Sequence, residues 1–276
     1  MGVRKNQRNL TATERAAFVA ALIELKRRGT YDNFVRQHID RANGDSDNGV
    51  RIGHRSPSFL PWHRQYLLEF ERALQAINPA VNLPYWDWTT DGASSTMWNT
   101  DFLGPNGVAA QNYRVTSGPF AEAGGNWPLT VRSDTATYLR RNFTGTTGVT
   151  TLPTAGDVST VLAQGTYDVS PWNSTSASGF RNYLEGFRGP NVHNRVHNWV
   201  SGTMAGFGSP NDPVFWLHHC HVDKLWSDWQ RRYPAATYLP SAGTANVVDI
   251  DEAMQPWGGT VTPRSMLNHT AWYTYA

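Results

Sequence analysis

Apolar residues recur at helical spacing in several stretches of the chain and lose that periodicity between residues 89 and about 175. Thr11-Ala12-Thr13-Glu14 has the spacing of a capping box, in which a threonine and a glutamate three residues later exchange backbone hydrogen bonds. It predicts a helix to about Arg28, with Phe18, Leu22 and Leu25 on one face and Gly29 as its stop. A shorter helix is predicted over Tyr31 to Ile39. A strongly amphipathic one follows over Trp62 to Ile77, behind a first-turn proline, Pro61. Its apolar line of Tyr66, Leu67, Phe70, Leu74 and Ile77 turns His63 inward. Gly, Ser, Thr, Asn and Pro dominate residues 89–175, which reads as loops with a few short strands and one helix near 155–162. Helical pattern returns over 179–187, 191–200 and 213–232. The whole is one mainly α domain, 1–276, with inner helices wrapped by long connections.

Composition narrows the function more than the fold. With 24 basic and 22 acidic residues the net charge is +2, which gives no electrostatic case for nucleic acid or an anionic membrane. Twelve Trp, eleven Tyr and eleven Phe suit a rigid core around an aromatic-accepting site, although core aromatics need no function. Cys220 stands alone, so neither an intrachain disulfide nor a cysteine-based metal site is available. No stretch approaches the ~18–20 apolar residues of a spanning helix, and the opening Met1-Gly2-Val3-Arg4-Lys5-Asn6 is unlike a signal peptide. A cytoplasmic protein is expected unless something else exports it.

The nine histidines cluster. His38, His54 and His63 fall in the first quarter; His193, His197, His218, His219 and His221 form a second group, and His269 stands apart. His193 and His197 are four residues apart, one turn along a helix face, where both can reach one metal. His219 can add a third nitrogen. Two triplets of imidazoles with no thiolate or carboxylate suit a borderline ion, and this chemistry alone leaves copper and zinc both open.

Three segments carry a resemblance. His54-Arg55-Ser56-Pro57-Ser58-Phe59-Leu60-Pro61-Trp62-His63-Arg64 resembles the first copper-site motif of the tyrosinase family, and Leu83-Pro84-Tyr85-Trp86-Asp87-Trp88 the segment after it. Asn211-Asp212-Pro213-Val214-Phe215-Trp216-Leu217-His218-His219 with Val222-Asp223-Lys224-Leu225-Trp226 resembles the second copper-site signature. The similarity spans nearly the whole chain and is greatest to the short actinobacterial tyrosinases and their o-aminophenol-oxidising relatives. It implies a central four-helix bundle holding a dinuclear type-3 copper centre, with two copper ions and O2 as co-substrate. By the same resemblance His38, His54 and His63 bind copper A, and His193, His197 and His219 bind copper B. His218 then supports neighbouring ligands, Phe59 covers His54, and Glu185 with Asn194 holds a water that takes a phenol proton. The bland alternative for Glu185 is a helix-dipole partner. Asp223 either orients a ligand, caps a buried arginine such as Arg55, or forms a helix salt bridge. Related proteins form a thioether from position 52; here Ile52 excludes it.

The implied activity is oxidation of phenols, o-diphenols and o-aminophenols to o-quinones or quinone imines. The alternatives are a dedicated o-aminophenol oxidase or N-oxygenating enzyme of secondary metabolism, an O2 carrier like hemocyanin, and a zinc hydrolase. Where the tyrosinase relatives have apolar pocket residues, this chain has Asp40-Arg41-Ala42-Asn43 and Asn198. That difference reads as drift at a rim, or as a pocket in which Arg41, Ala42 and Asn198 receive a polar, carboxylated ring. Partners implied are a small aromatic substrate and a small copper-delivery companion protein, which could also carry the chain out of the cell.

Overall fold

The computed structural model describes residues 2–145 and 148–276. Seven α-helices are found among them: α1 (Ala12–Arg27), α2 (Thr30–Ala42), α3 (Phe59–Gln75), α4 (Ala155–Leu162), α5 (Phe180–Glu185), α6 (Val192–Val200) and α7 (Val214–Arg232). The Thr11–Glu14 capping box forms as expected, with Thr11 N–H donating to Glu14 Oε2 at 2.8 Å and Glu14 N–H to Thr11 Oγ1 at 3.1 Å. α2 runs three residues past the predicted Ile39, because Asp40 and Arg41 continue its solvent face and nothing there breaks a helix. α3 begins at Phe59, which places Pro61 in the first turn, where a missing N–H costs nothing.

α3 and α7 form the centre. Phe70 and Trp216 stack at 3.5 Å between ring centroids, and Tyr66 packs on Trp216 at 4.9 Å. One contiguous apolar core runs from Phe18 to Met266.

The strands expected within 89–175 do not form. Among the described residues that region has only isolated bridges, Val108 with Arg114 and Arg114 with Arg140. A buried guanidinium does the work of a ladder there: Arg141 donates to the carbonyls of Leu103 (2.9 Å) and Gly104 (2.7 Å) and to both oxygens of Asp212. Asp212 in turn accepts the Val214 N–H at 3.1 Å and so fixes the start of α7. The strands lie elsewhere: β1 (Gly2–Arg4) pairs in parallel with β2 (Tyr273–Tyr275).

Candidate metal centre and substrate cleft

α2, α3, α6 and α7 bring the histidines into two adjoining groups. His38 of α2, His63 of α3 and His54 of the intervening loop place one nitrogen each within 4.8 Å of one another, and so do His193, His197, His218 and His219 of α6 and α7. The groups touch where His63 stacks on His219, 4.4 Å between centroids at 19°.

Hydrogen bonding sets the tautomers. A carbonyl oxygen can only accept, so a ring nitrogen facing one must carry the proton. His38 Nδ1 faces Phe207 O (2.8 Å), His63 Nδ1 faces Phe59 O (2.8 Å), His193 Nδ1 faces Glu185 O (3.1 Å) and His197 Nδ1 faces Met204 O (2.7 Å). Each Nε2 is left with its lone pair directed at the centre. The Nε2 atoms of His38 and His63 are buried without any partner, and those of His193 and His197 each lie 3.2 Å from His219 Nε2. Buried lone pairs without donors cost roughly 1–3 kcal/mol each. A cation shared among them removes that cost, so the donor set fits a metal, and an all-imidazole set without thiolate suits copper.

Electrostatics point the same way. Burial first, then repulsion from neighbouring imidazoles, holds His38, His63, His193 and His219 well below the usual histidine range. Burial brings His197 down to about 4. These rings are neutral at pH 7, the form that binds metal.

His218 differs. The Trp88 indole N–H, which is only a donor, gives its hydrogen bond to His218 Nδ1 at 3.2 Å, so the His218 proton sits on Nε2 and that atom has no lone pair to offer. Its ring stacks on His193 at 5.0 Å and 16°. Phe59 lies between the two groups, nearer to His63 (4.8 Å) and His193 (4.9 Å) than to His54 (6.1 Å).

Asp223 neither touches a histidine of the two triplets nor caps Arg55. It receives Arg64 Nε at 2.6 Å, Arg4 Nη1 at 3.3 Å, Tyr273 OH at 2.6 Å and Tyr275 OH, and thereby fastens α3, α7 and the terminal strands together. Its inward position on α7 follows from helical spacing; its partners come from residues 4 and 64, too far along the chain to be read from the motif. Burial alone would raise its carboxyl, but Arg64 and Arg4 hold it below the ordinary value. Arg55 instead reaches Asp47 at 3.1 Å and lies over the Phe187 ring.

Two clefts meet at the centre, sharing His54, Phe187, Asn194 and Phe207 in their walls. The wider, about 560 Å³, is also lined by Ala42 and Glu185; the other by His38, His193, His197 and Asn198. Glu185 and Asn194 are adjacent because Gly186, at φ 109°, turns α5 directly into the approach to α6; a Cβ there would sit 2.5 Å from Asn191 Oδ1 and 3.0 Å from Asn194 Cβ. Glu185 is buried, with Oε1 accepting the Arg55 N–H (2.6 Å) and Oε2 accepting Arg181 Nη1 (3.0 Å). Desolvation raises its carboxyl above the ordinary value against the pull of Arg181. Asp168, on the other side of Arg181, is pushed up by burial to about 6.

Arg41 takes no part in either wall. Its guanidinium donates to Gln255 Oε1 at 2.9 Å, on the outside of α2. The helical extension explains this: Arg41 and Ala42 are consecutive, so when Ala42 faces the cleft Arg41 is turned ~100° away. Sequence reasoning also missed Phe187, Phe207 and the Asp168–Arg181 pair, and it named Trp88 only as part of a motif, with no role. Of the others, only the four-residue spacing of Arg181 and Glu185 carried a signal.

Two all-imidazole groups stacked across facing helices are the arrangement of a type-3 copper protein. Residues 28–232 match the family model for the common central domain of tyrosinase. The chain belongs to the tyrosinase family and is a copper-dependent oxidoreductase. It is 58% identical over 276 residues to a tyrosinase of Streptomyces antibioticus, covering 100% of this chain and 99% of the relative. It is 43% identical over 308 residues to grixazone synthase of Streptomyces griseus subsp. griseus, covering 99% and 98%. Among solved structures, a polyphenol oxidase from Thermothelomyces thermophila aligns at TM-score 0.62 and 25% identity over 83% of this chain and 70% of that one. An octopus hemocyanin functional unit shares the fold at TM-score 0.63 and 21% identity, over 100% and 68%. No helix among the described residues is long and apolar enough to cross a membrane.

Proposed function

We propose that this chain uses O2 to oxidise phenols and o-diphenols to o-quinones, with His38, His54 and His63 holding one copper and His193, His197 and His219 the other. Copper held there supplies O2 activation and the redox equivalents that carry the ring to the quinone. The residues do the rest. With their Nδ1–H groups engaged by main-chain carbonyls, four of the imidazoles have no free base to offer a substrate. As the resemblance to the tyrosinase family implies, the proton of a monophenol goes to Glu185, through a water held between it and Asn194. The observation that carries this is the buried Glu185 carboxylate in the wall of the same cleft as Asn194 and His54, raised by desolvation above its ordinary value. Phe187 and Phe207 line both clefts, and the open cleft favours turnover over O2 storage.

Steady-state kinetics of Glu185→Gln test the reading. The expected loss is about 100-fold on monophenols and under about tenfold on o-diphenols, whose two hydroxyls need less help with deprotonation. Equal losses on both classes would make Glu185 structural.

A second reading, oxidation of o-aminophenols in secondary metabolism, has the similarity to grixazone synthase and the place of Asn198 in the cleft wall in its favour. The placement of Arg41 withdraws the carboxylate contact that would have strengthened it. Competition among tyrosine, a catechol and a carboxylated o-aminophenol separates the two. Copper delivery by a small companion protein belongs to the same proposal: the chain expressed alone should purify largely copper-free.

A further inference from the structure

His54 is the one histidine of the first triplet that no helix carries, and a single carboxylate organises the chain around it. Asp45, nine residues earlier and with its side chain 1% exposed, accepts three consecutive backbone N–H groups: Ile52 at 2.5 Å on Oδ1, and Gly53 at 3.0 Å and His54 at 2.8 Å on Oδ2. Its Oδ2 also lies 3.4 Å from His54 Nδ1, close enough to face the ring but without a formed hydrogen bond, on the side where a main-chain carbonyl accepts the Nδ1 proton in His38, His63, His193 and His197. Two residues on, Asp47 binds the Arg55 guanidinium (3.1 Å) and Ser174 N–H (3.0 Å) and Oγ (2.7 Å), so the far side of the turn is tied to another segment.

We propose that Asp45 is the positioning residue for His54. Its carboxylate wraps the turn 45–54 about itself and faces the imidazole, and so sets the affinity of the first metal position. Three N–H donors converging on one anion form a charge-assisted nest, stronger than the neutral turns that loops ordinarily rely on. A carboxylate beside a ligating imidazole fixes its orientation and strengthens it as a donor. This inference rests on the proposed ligand role of His54.

The test uses the full chain and two variants, Asp45→Asn and Asp45→Ala, with two readouts. In copper-free protein, amide hydrogen exchange should be slow at Ile52, Gly53 and His54 in the wild type, slower than at Asn48 and Val50 of the same loop. It should accelerate at all three in Asp45→Ala. Copper titration against a chelator should show two copper ions in the wild type and, in the variants, one position weakened about 10–100-fold with the other unchanged. Unprotected amides in the wild type, or two unchanged copper affinities in either variant, overturn the inference. If neither variant folds, exchange in the wild type still decides. Wild-type protein that binds fewer than two copper ions would sink the ligand assignment, and the exchange data would then judge the turn by itself.

Discussion

Every imidazole of the second triplet stands on a helix, His193 and His197 a turn apart on α6 and His219 on α7, whereas the first triplet takes His38 from α2, His63 from α3 and His54 from a loop. The ring nitrogens are alike in kind, but their mechanical support is not. α6 and α7 sit in the core, and a helix fixes the direction of a side chain through its own hydrogen-bond ladder. His54 depends on one carboxylate and is 20% exposed. Under the proposed ligand assignment, one half of the centre rests on helices alone and the other takes one of its three imidazoles from a loop. The substrate cleft opens beside that loop, with His54 in the walls of both clefts.

The largest expected effect lies on the rigid ligands. His197→Ala and His63→Ala should each lose one copper by metal analysis and at least about 1,000-fold in oxidase turnover, with helical circular dichroism retained, because the fold rests on apolar burial rather than on metal. His54→Ala should lose less copper affinity than His63→Ala. Equal losses would erase the distinction between loop-borne and helix-borne ligands.

Next comes the brace that both halves share. α3 bears His63 and α7 bears His219, and Asp223 links the two helices through Arg64. Asp223→Asn leaves the buried Arg64 guanidinium without its carboxylate, while Arg4 keeps Glu71, and should cost about 3–5 kcal/mol by denaturant unfolding. If it lowers the affinity of both copper positions together, the brace serves both halves; if only one, the halves are independent.

A smaller effect concerns pH. His197 has a folded value of about 4 against an unfolded histidine near ~6.5. Between those values the unfolded chain binds more protons than the folded one, so stability rises with pH across that window. The contribution is fully present above about 6.5 and is lost as pH falls toward 4. The melting temperature of copper-free protein should therefore drop steadily from pH 7 to pH 5. Since His38, His63, His193 and His219 are depressed in the same direction, protons compete weakly for these rings, and copper should stay bound at pH values where an ordinary histidine site would release it.

The smallest effect is at Trp88. Trp88→Phe removes the donor that keeps the His218 proton on Nε2, and should weaken the second copper position by less than about tenfold by chelator competition, below the roughly 10–100-fold of a hydrogen bond made to a ligand itself. No change would mean that stacking on His193 alone holds His218.

The helices were legible because their apolar spacing and caps are local signals: Thr11 with Glu14, the stripe from Tyr66 to Leu74, and the histidines four apart at 193 and 197 all lie within a few turns. The missing information is long-range. Nothing near Asp223 announces Arg4, and nothing near Arg141 announces that it will hold the carbonyls of residues 103 and 104 in place of a strand ladder. The direction of Arg41 turns on a different point, since the last three residues of α2, beyond Ile39, decide which of two consecutive residues faces the cleft. Asp45 lay in plain view in Gly44-Asp45-Ser46-Asp47, but an acidic turn has no visible purpose until the three N–H groups it binds are seen in space.

The terminal ribbon bears on the order of events in synthesis. Arg4 donates to Tyr275, 271 residues away, and the Tyr273 ring covers the Arg4 guanidinium at 3.4 Å. A chain emerging from the ribosome can form α1, α2 and α3 early, but the cluster that locks α3 to α7 is incomplete until residues 273–275 have been made. Contacts of such sequence separation form late. Copper arriving before that point would meet His38, His54 and His63 on a half-built scaffold, while a finished chain presents both triplets at once. Both histidine groups are therefore assembled only once α6 and α7 have joined α2 and α3.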